Sequence, residues 1–133
     1  MAAEYAVLQD RRVQRRALVL ETDPAVRGQL GELLPSAGFE PIFCGSLSEL
    51  GANVAHASGE VAIVDGRAVD GLLVEEHRHD LTMLSHVVPL VLVVDPGLGR
   101  QFTAEDLGVG AVLATPFGRR KLLAALHQAA SDT

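Results

Sequence analysis

The sequence predicts a doubly wound α/β domain around one five-stranded parallel sheet, a (βα)5 arrangement. Three observations carry this. Short β-rich runs alternate with amphipathic stretches five times. Nearly every run is apolar at consecutive positions, which means both strand faces are covered, as when right-handed crossovers place helices on both sides of a sheet. The 133 residues are 48% apolar, enough for one sizeable core, and a second independent core is not expected. Aromatics are only 4% and Trp is absent, so that core is built from Leu, Val and Ala.

The elements follow in order. Residues 1–16 form an arm ahead of a domain spanning 17–131. Ala17-Leu-Val-Leu-Glu21 reads as a buried first strand. Asp23-Pro24 then marks a helix start, with Asp as N-cap and Pro at the first helical position. Val26, Leu30, Leu33 and Leu34 follow at helical spacing, and Gly38 is the stop. The second strand runs from Glu40 to Cys44, and Ser46 caps a helix carrying Leu47, Leu50 and Val54. Val61-Ala-Ile-Val-Asp65 is the third strand, four apolar residues ending in a carboxylate. A helix from about Asp70 to Leu84 follows. Pro89 to Val94 is the fourth strand. A poor helix, flanked by Gly97, Gly99, Gly108 and Gly110, spans roughly Gly99 to Leu107. Ala111 to Thr115 is the fifth strand, and Phe117 to Ala130 the last helix, with Leu122, Leu123 and Leu126 on one stripe.

The net charge of −6 argues against direct nucleic-acid binding, which needs a basic surface. The arm departs from this balance. Arg11, Arg12, Arg15 and Arg16 against Glu4 and Asp10 make it +2 and leave −8 on the rest. It suits an acidic partner or anionic lipid, although a solvated tail or short helix is the plainer reading. The longest apolar stretch, Val87 to Val94, is interrupted by Pro89 and is too short for a membrane span. No secretion signal is visible. The single cysteine, Cys44, excludes an intramolecular disulfide and fits a reducing, cytoplasmic setting. It reads as a small buried hydrophobe.

In doubly wound sheets, working groups collect at the carboxyl ends of the strands, near the switch in strand order. Those ends offer Glu21, Thr22 and Asp23; Asp65; Val94 and Asp95; and Thr115, Pro116 and Phe117. Acids from two strands on one rim (Glu21, Asp23 and Asp65) suit a hard cation such as Mg2+. They also place a carboxylate nucleophile beside that cation, as aspartyl phosphorylation requires.

At this point four segments, in order and suitably spaced, resemble a family. They are Leu18-Val-Leu-Glu-Thr-Asp-Pro24, Val61-Ala-Ile-Val-Asp65, Val88-Pro-Leu-Val-Leu-Val-Val94 and Gly108-Val-Gly-Ala-Val-Leu-Ala-Thr-Pro-Phe117. The chain resembles the receiver domain of bacterial response regulators, of the chemotaxis CheY type, over about residues 17–130. The resemblance implies a CheY-like, flavodoxin-type fold with Asp65 at the phospho-acceptor position. It places Glu21 and Thr22 on the acidic pair that helps hold Mg2+, and Val94 where receivers carry a Ser or Thr. Thr115 falls on the usual Lys, just before a Pro whose peptide bond is commonly cis. Val112 falls on a switching aromatic. The fourth helix, fifth strand and last helix often form the partner face, which makes Leu107, Val112 and Phe117 candidate contacts, with core packing the default for each.

The departures dismantle the switch. Thr115 offers a neutral hydrogen bond where Lys supplies a fixed charge, and charge-assisted bonds are roughly twice as strong. Val94 has no hydroxyl to follow a phosphoryl group, and Thr22 removes an acid. The segment from Asp65 to Asp70-Gly71 is shorter than the usual loop. The expected function is that of a pseudo-receiver in bacterial two-component signalling. It is not an enzyme and has no resident cofactor. It binds another signalling protein, a further domain of its own chain, or a second copy, without phosphorylation. The alternative is a working receiver accepting a phosphoryl group on Asp65 with Mg2+. A flavodoxin-like cofactor binder ranks below both, because Glu21-Thr-Asp-Pro24 is acidic and would repel phosphate. Glu75 and His79 are spaced i, i+4, but without a third ligand they read as a solvated helix face. His56, His86 and His127 are isolated. Asp95-Pro-Gly97 reads as a turn.

Overall fold

A computed structural model describes residues 15–54, 60–66 and 75–131. Five strands form one parallel sheet: β1 (Arg15–Leu20), β2 (Phe39–Phe43), β3 (Val61–Asp65), β4 (Leu90–Val94) and β5 (Ala111–Ala114). Their order is β2-β1-β3-β4-β5. This is the flavodoxin-like doubly wound order, with its switch point between β1 and β3. The helices are α1 (Pro24–Ser36), α2 (Leu47–Asn53), α3 (Glu75–Val87), α4 (Pro96–Gln101), α5 (Ala104–Leu107) and α6 (Arg119–Ser131).

Strand side chains alternate between faces, and here both faces are covered. Val19, Ile63, Val91, Val93 and Leu113 pack with Leu30 and Leu34 of α1 and Leu122 and Leu126 of α6. Leu18, Leu20, Val64, Leu90 and Leu92 pack on the other side with Leu50 of α2 and Leu81 and Leu84 of α3. The central strands β3 and β4 are therefore buried throughout, which is why they read as unbroken apolar runs. β2 is an edge strand, only half-buried, and tolerates Pro41 there.

Several boundaries move from their expected places. β1 begins at Arg15, so the last two arginines of the expected arm belong to the sheet. Arg16 Nη1 pairs with Glu60 Oε2 at 2.8 Å, and its Nη2 donates to the Asn53 carbonyl at 3.2 Å. Residues 1–14 lie outside the described residues, as do His56 and the short segment from 67 to 74. α3 runs on to Val87, and α6 starts at Arg119 because Phe117 turns into the core. The expected fourth helix is two short ones. Thr103 and Asp106 form a capping box inside it that starts a fresh helix, and Gly108, at φ 69°, closes that helix in the left-handed region. Asp95 does not sit in a plain turn. It N-caps α4, its Oδ1 accepting from the Leu98 N–H at 2.8 Å. Among the described residues, no helix is long and apolar enough to cross a membrane.

Candidate functional site

The rim at the carboxyl ends of the strands is built loop by loop. Leu20 and Val64 are in register, so Glu21 and Asp65 leave adjacent strands at the same level, beside the switch point. Both are buried, 4% and 1% exposed. Glu21 Oε1 accepts from the Asp23 N–H at 2.9 Å, and Asp23 Oδ1 accepts from the Ala25 N–H at 2.9 Å. Asp23 is thereby the N-cap of α1, as its position before Pro24 predicts. Thr22 between them is exposed.

On the other side of Asp65, Val94 ends β4 and is buried, offering only methyl groups. The Val94 carbonyl accepts twice from Thr115, from its N–H at 2.9 Å and from its hydroxyl at 3.4 Å. The Thr115 side chain is thus turned toward the β4 backbone. The Thr115–Pro116 peptide is cis, as the resemblance implies. Gln29 of α1 donates through Nε2 to the Phe117 carbonyl, tying α1 to the loop after β5.

The fold brings Glu21, Asp65, Val94 and Thr115 to one rim, as expected from the sequence. Mg2+ demands near-ideal octahedral oxygen geometry. Among the described residues, no three His, Cys, Asp or Glu side chains gather so as to hold a metal ion. Glu21 and Asp23 each spend an oxygen on an N–H of their own loop, and Thr22 is neutral. Mg2+ also keeps several waters and takes only one or two carboxylates, so buried Glu21 and Asp65 are the residues that would hold it here.

The expected partner contacts also change. Leu107 and Phe117 are 3% and 5% exposed and belong to the two core layers, so neither is a surface contact. Val112 is half-buried and packs on the α2–α3 side. His79, His86 and His127 are exposed, and the Glu75 side chain lies outside the described residues. Cys44 is buried and free. Burial first, and then the Glu49 carboxylate, push its thiol up from the ordinary range, against smaller opposite effects of Arg16 and Asn53. Its place is in the core layer on the α2–α3 side.

One surface feature was missed. Met83 and Val87 are exposed and, with Leu47, Gly51, Asp80 and Leu84, line an open groove of about 460 Å3 between α2 and α3. The signal was present in the sequence. Met83 and Val87 stand one turn apart, off the buried stripe of Leu81, Leu84 and Val88.

No family model and no curated protein matches the chain. Solved structures do. The chemotaxis response regulator CheY4 of Vibrio cholerae is 20% identical, over 87% of this chain and 98% of that one, with a TM-score of 0.64. A response regulator receiver domain protein from Clostridium thermocellum is 17% identical over 89% and 95%, with a TM-score of 0.67. Full-length FixJ from B. japonicum is 25% identical over 88% of this chain but only 58% of its own, with a TM-score of 0.65. The chain has the fold of receiver domains.

Proposed function

We propose that this chain is a pseudo-receiver, a signalling domain that binds protein in one constitutive conformation without phosphoryl transfer or catalysis. The observation that carries this reading is Thr115. At the position where the resemblance places a Lys, its hydroxyl points to the Val94 carbonyl. Val94 has no hydroxyl to answer a phosphoryl group, and Asp95 is engaged as the cap of α4. The groups around the rim thus brace their own loops. The partner is another signalling protein, a further domain of a longer chain, or a second copy.

A working receiver is the second reading. The pair favouring it is Glu21 and Asp65, both buried at the same level of adjacent strands. Amide NMR titration with Mg2+ and then beryllium fluoride, an acyl-phosphate mimic, separates the two. The pseudo-receiver shows no saturable shifts around Asp65, Glu21 and Thr115. Saturable shifts spreading from Asp65 to α6 would overturn it. Intact-mass measurement after incubation with acetyl phosphate gives the same division: no added phosphoryl mass supports the first reading, and a gain lost on Asp65→Asn supports the second.

A further inference from the structure

Met83 and Val87 are 54% and 50% exposed, and the one other large apolar side chain on the described surface is Leu123 at 37%. Isolated exposed apolar residues need no explanation, but two adjoining ones beside an unfilled groove do. Met83, Val87 and Asp80 form the α3 wall of that groove. Leu47 and Gly51 form the α2 wall, and buried Leu84 lies between. Gly51 borders open space on this side, since a Cβ there would meet nothing within 4 Å. One face therefore carries both the projecting side chains and the recess that fits them.

We propose that this face is a two-fold dimer interface, with α3 packed antiparallel against α3 of a second copy. Asp80, Met83 and His86 form an i±3 row that is symmetric about Met83. An antiparallel pair centred on Met83 sets Asp80 of each copy opposite His86 of the other. Both are exposed, and they pair as a carboxylate acceptor with an imidazole donor. A self-complementary patch of this kind is what a two-fold contact requires. Val87 of each copy then packs into the α2–α3 groove of the other. A basic helical peptide would meet Asp80 and leave His86 unmatched, whereas a second copy answers both. The interface names a partner for the pseudo-receiver reading, but its geometry depends on α2 and α3 and not on the rim.

Sedimentation equilibrium of the full chain, from micromolar to near-millimolar concentration, tests the proposal. The chain follows a monomer–dimer equilibrium. Met83→Arg sets two like charges on the axis and removes a central apolar contact, weakening the dimer about tenfold or more. Asp80→His weakens it, and the exchanged pair Asp80→His with His86→Asp restores it. Met83→Cys cross-links to itself under mild oxidation, because a disulfide needs Cβ atoms about 3.5–4.5 Å apart. Leu123→Cys, also exposed, serves as the control for random collision. A chain that stays monomeric throughout overturns the proposal. So does a dimer indifferent to Met83→Arg, or cross-linking no faster at Met83 than at Leu123. Repeating the run with Mg2+ and beryllium fluoride separates the two claims. A dimer through Met83 that forms only with them keeps the interface and sinks the constitutive reading.

Discussion

Replacing Arg16 by Met keeps most of the side chain's length and removes its charge. The consequence falls on Glu60, whose side chain is only 3% exposed and whose Oε2 lies 2.8 Å from Arg16 Nη1. Breaking a fully buried pair costs about 3–5 kcal/mol, while an exposed pair contributes about 0–1 kcal/mol. The Arg16 side chain is 32% exposed, so solvent screens part of the attraction. A cost of about 2 kcal/mol lies between these limits. The bond from Arg16 to the Asn53 carbonyl is lost as well, loosening the end of α2. Urea melts followed by circular dichroism measure the effect. With a slope of about 1–3 kcal/mol per molar urea, the midpoint falls by about 1 M. The double variant Arg16→Met, Glu60→Leu removes both charges together and recovers most of the loss, because replacing a buried pair by apolar groups is often near neutral. A loss below about 0.5 kcal/mol for the single variant would refute the reasoning, since that is the behaviour of a surface pair. So would a double variant less stable than the single one.

Asp95→Ala removes the α4 cap and costs about 1 kcal/mol, seen as faster amide exchange confined to α4. Gly110→Ala costs about 1–3 kcal/mol in the same urea assay, because its Cβ would sit 3.1 Å from Ala129 and from the Leu90 carbonyl oxygen. Cys44 stays protonated above about pH 9, where an ordinary thiol is half ionised, so its reaction with a disulfide reagent rises only at higher pH and Glu49→Gln moves that rise downward. The linked stability is fully present below about pH 9 and is lost as pH climbs through the raised thiol value. Thr115→Val leaves stability within about 0.5 kcal/mol, because a 3.4 Å hydroxyl bond is long and its carbonyl keeps the Thr115 N–H.

Most of the sheet was legible because burial on both faces writes strands as runs of Val, Leu and Ile, and β3 and β4 are buried at every position. The Asp23 cap was legible because a cap acts over two or three residues. Asp95 has the same chemistry and was read as a turn because the glycines after it hide the helix it starts. Arg16 was misplaced for a different reason. Its partner Glu60 is 44 residues away, and no local pattern joins them. Glu21, Asp65, Val94 and Thr115 share one rim because strand order sets the ends of β1, β3, β4 and β5 side by side. The direction of the Thr115 hydroxyl and the burial of Leu107 and Phe117 depend on packing between layers, which periodicity does not encode.

The rim and the groove point the same way. A receiver that switches needs loops with two arrangements of similar energy, so that a phosphoryl group can select one. Here each described loop is held by a bond to its own neighbourhood: Glu21 to the Asp23 N–H, Asp95 to the Leu98 N–H, the Thr115 N–H to the Val94 carbonyl and Gln29 to the Phe117 carbonyl. None of these bonds needs a phosphoryl group to form. A ligand shifts such a system only by its differential affinity for two states, and the pseudo-receiver we propose has a rim that offers little difference. Regulation would then come from the concentration of whatever covers the exposed apolar surface. That surface lies on α2 and α3. The helix that the receiver resemblance assigns to the partner face is here split into α4 and α5, whose Leu107 is in the core. A variant that blocks α3, such as Met83→Arg, should therefore weaken partner binding about tenfold or more while leaving the rim spectra unchanged. Loss of binding on Asp65→Asn instead would place control back at the rim.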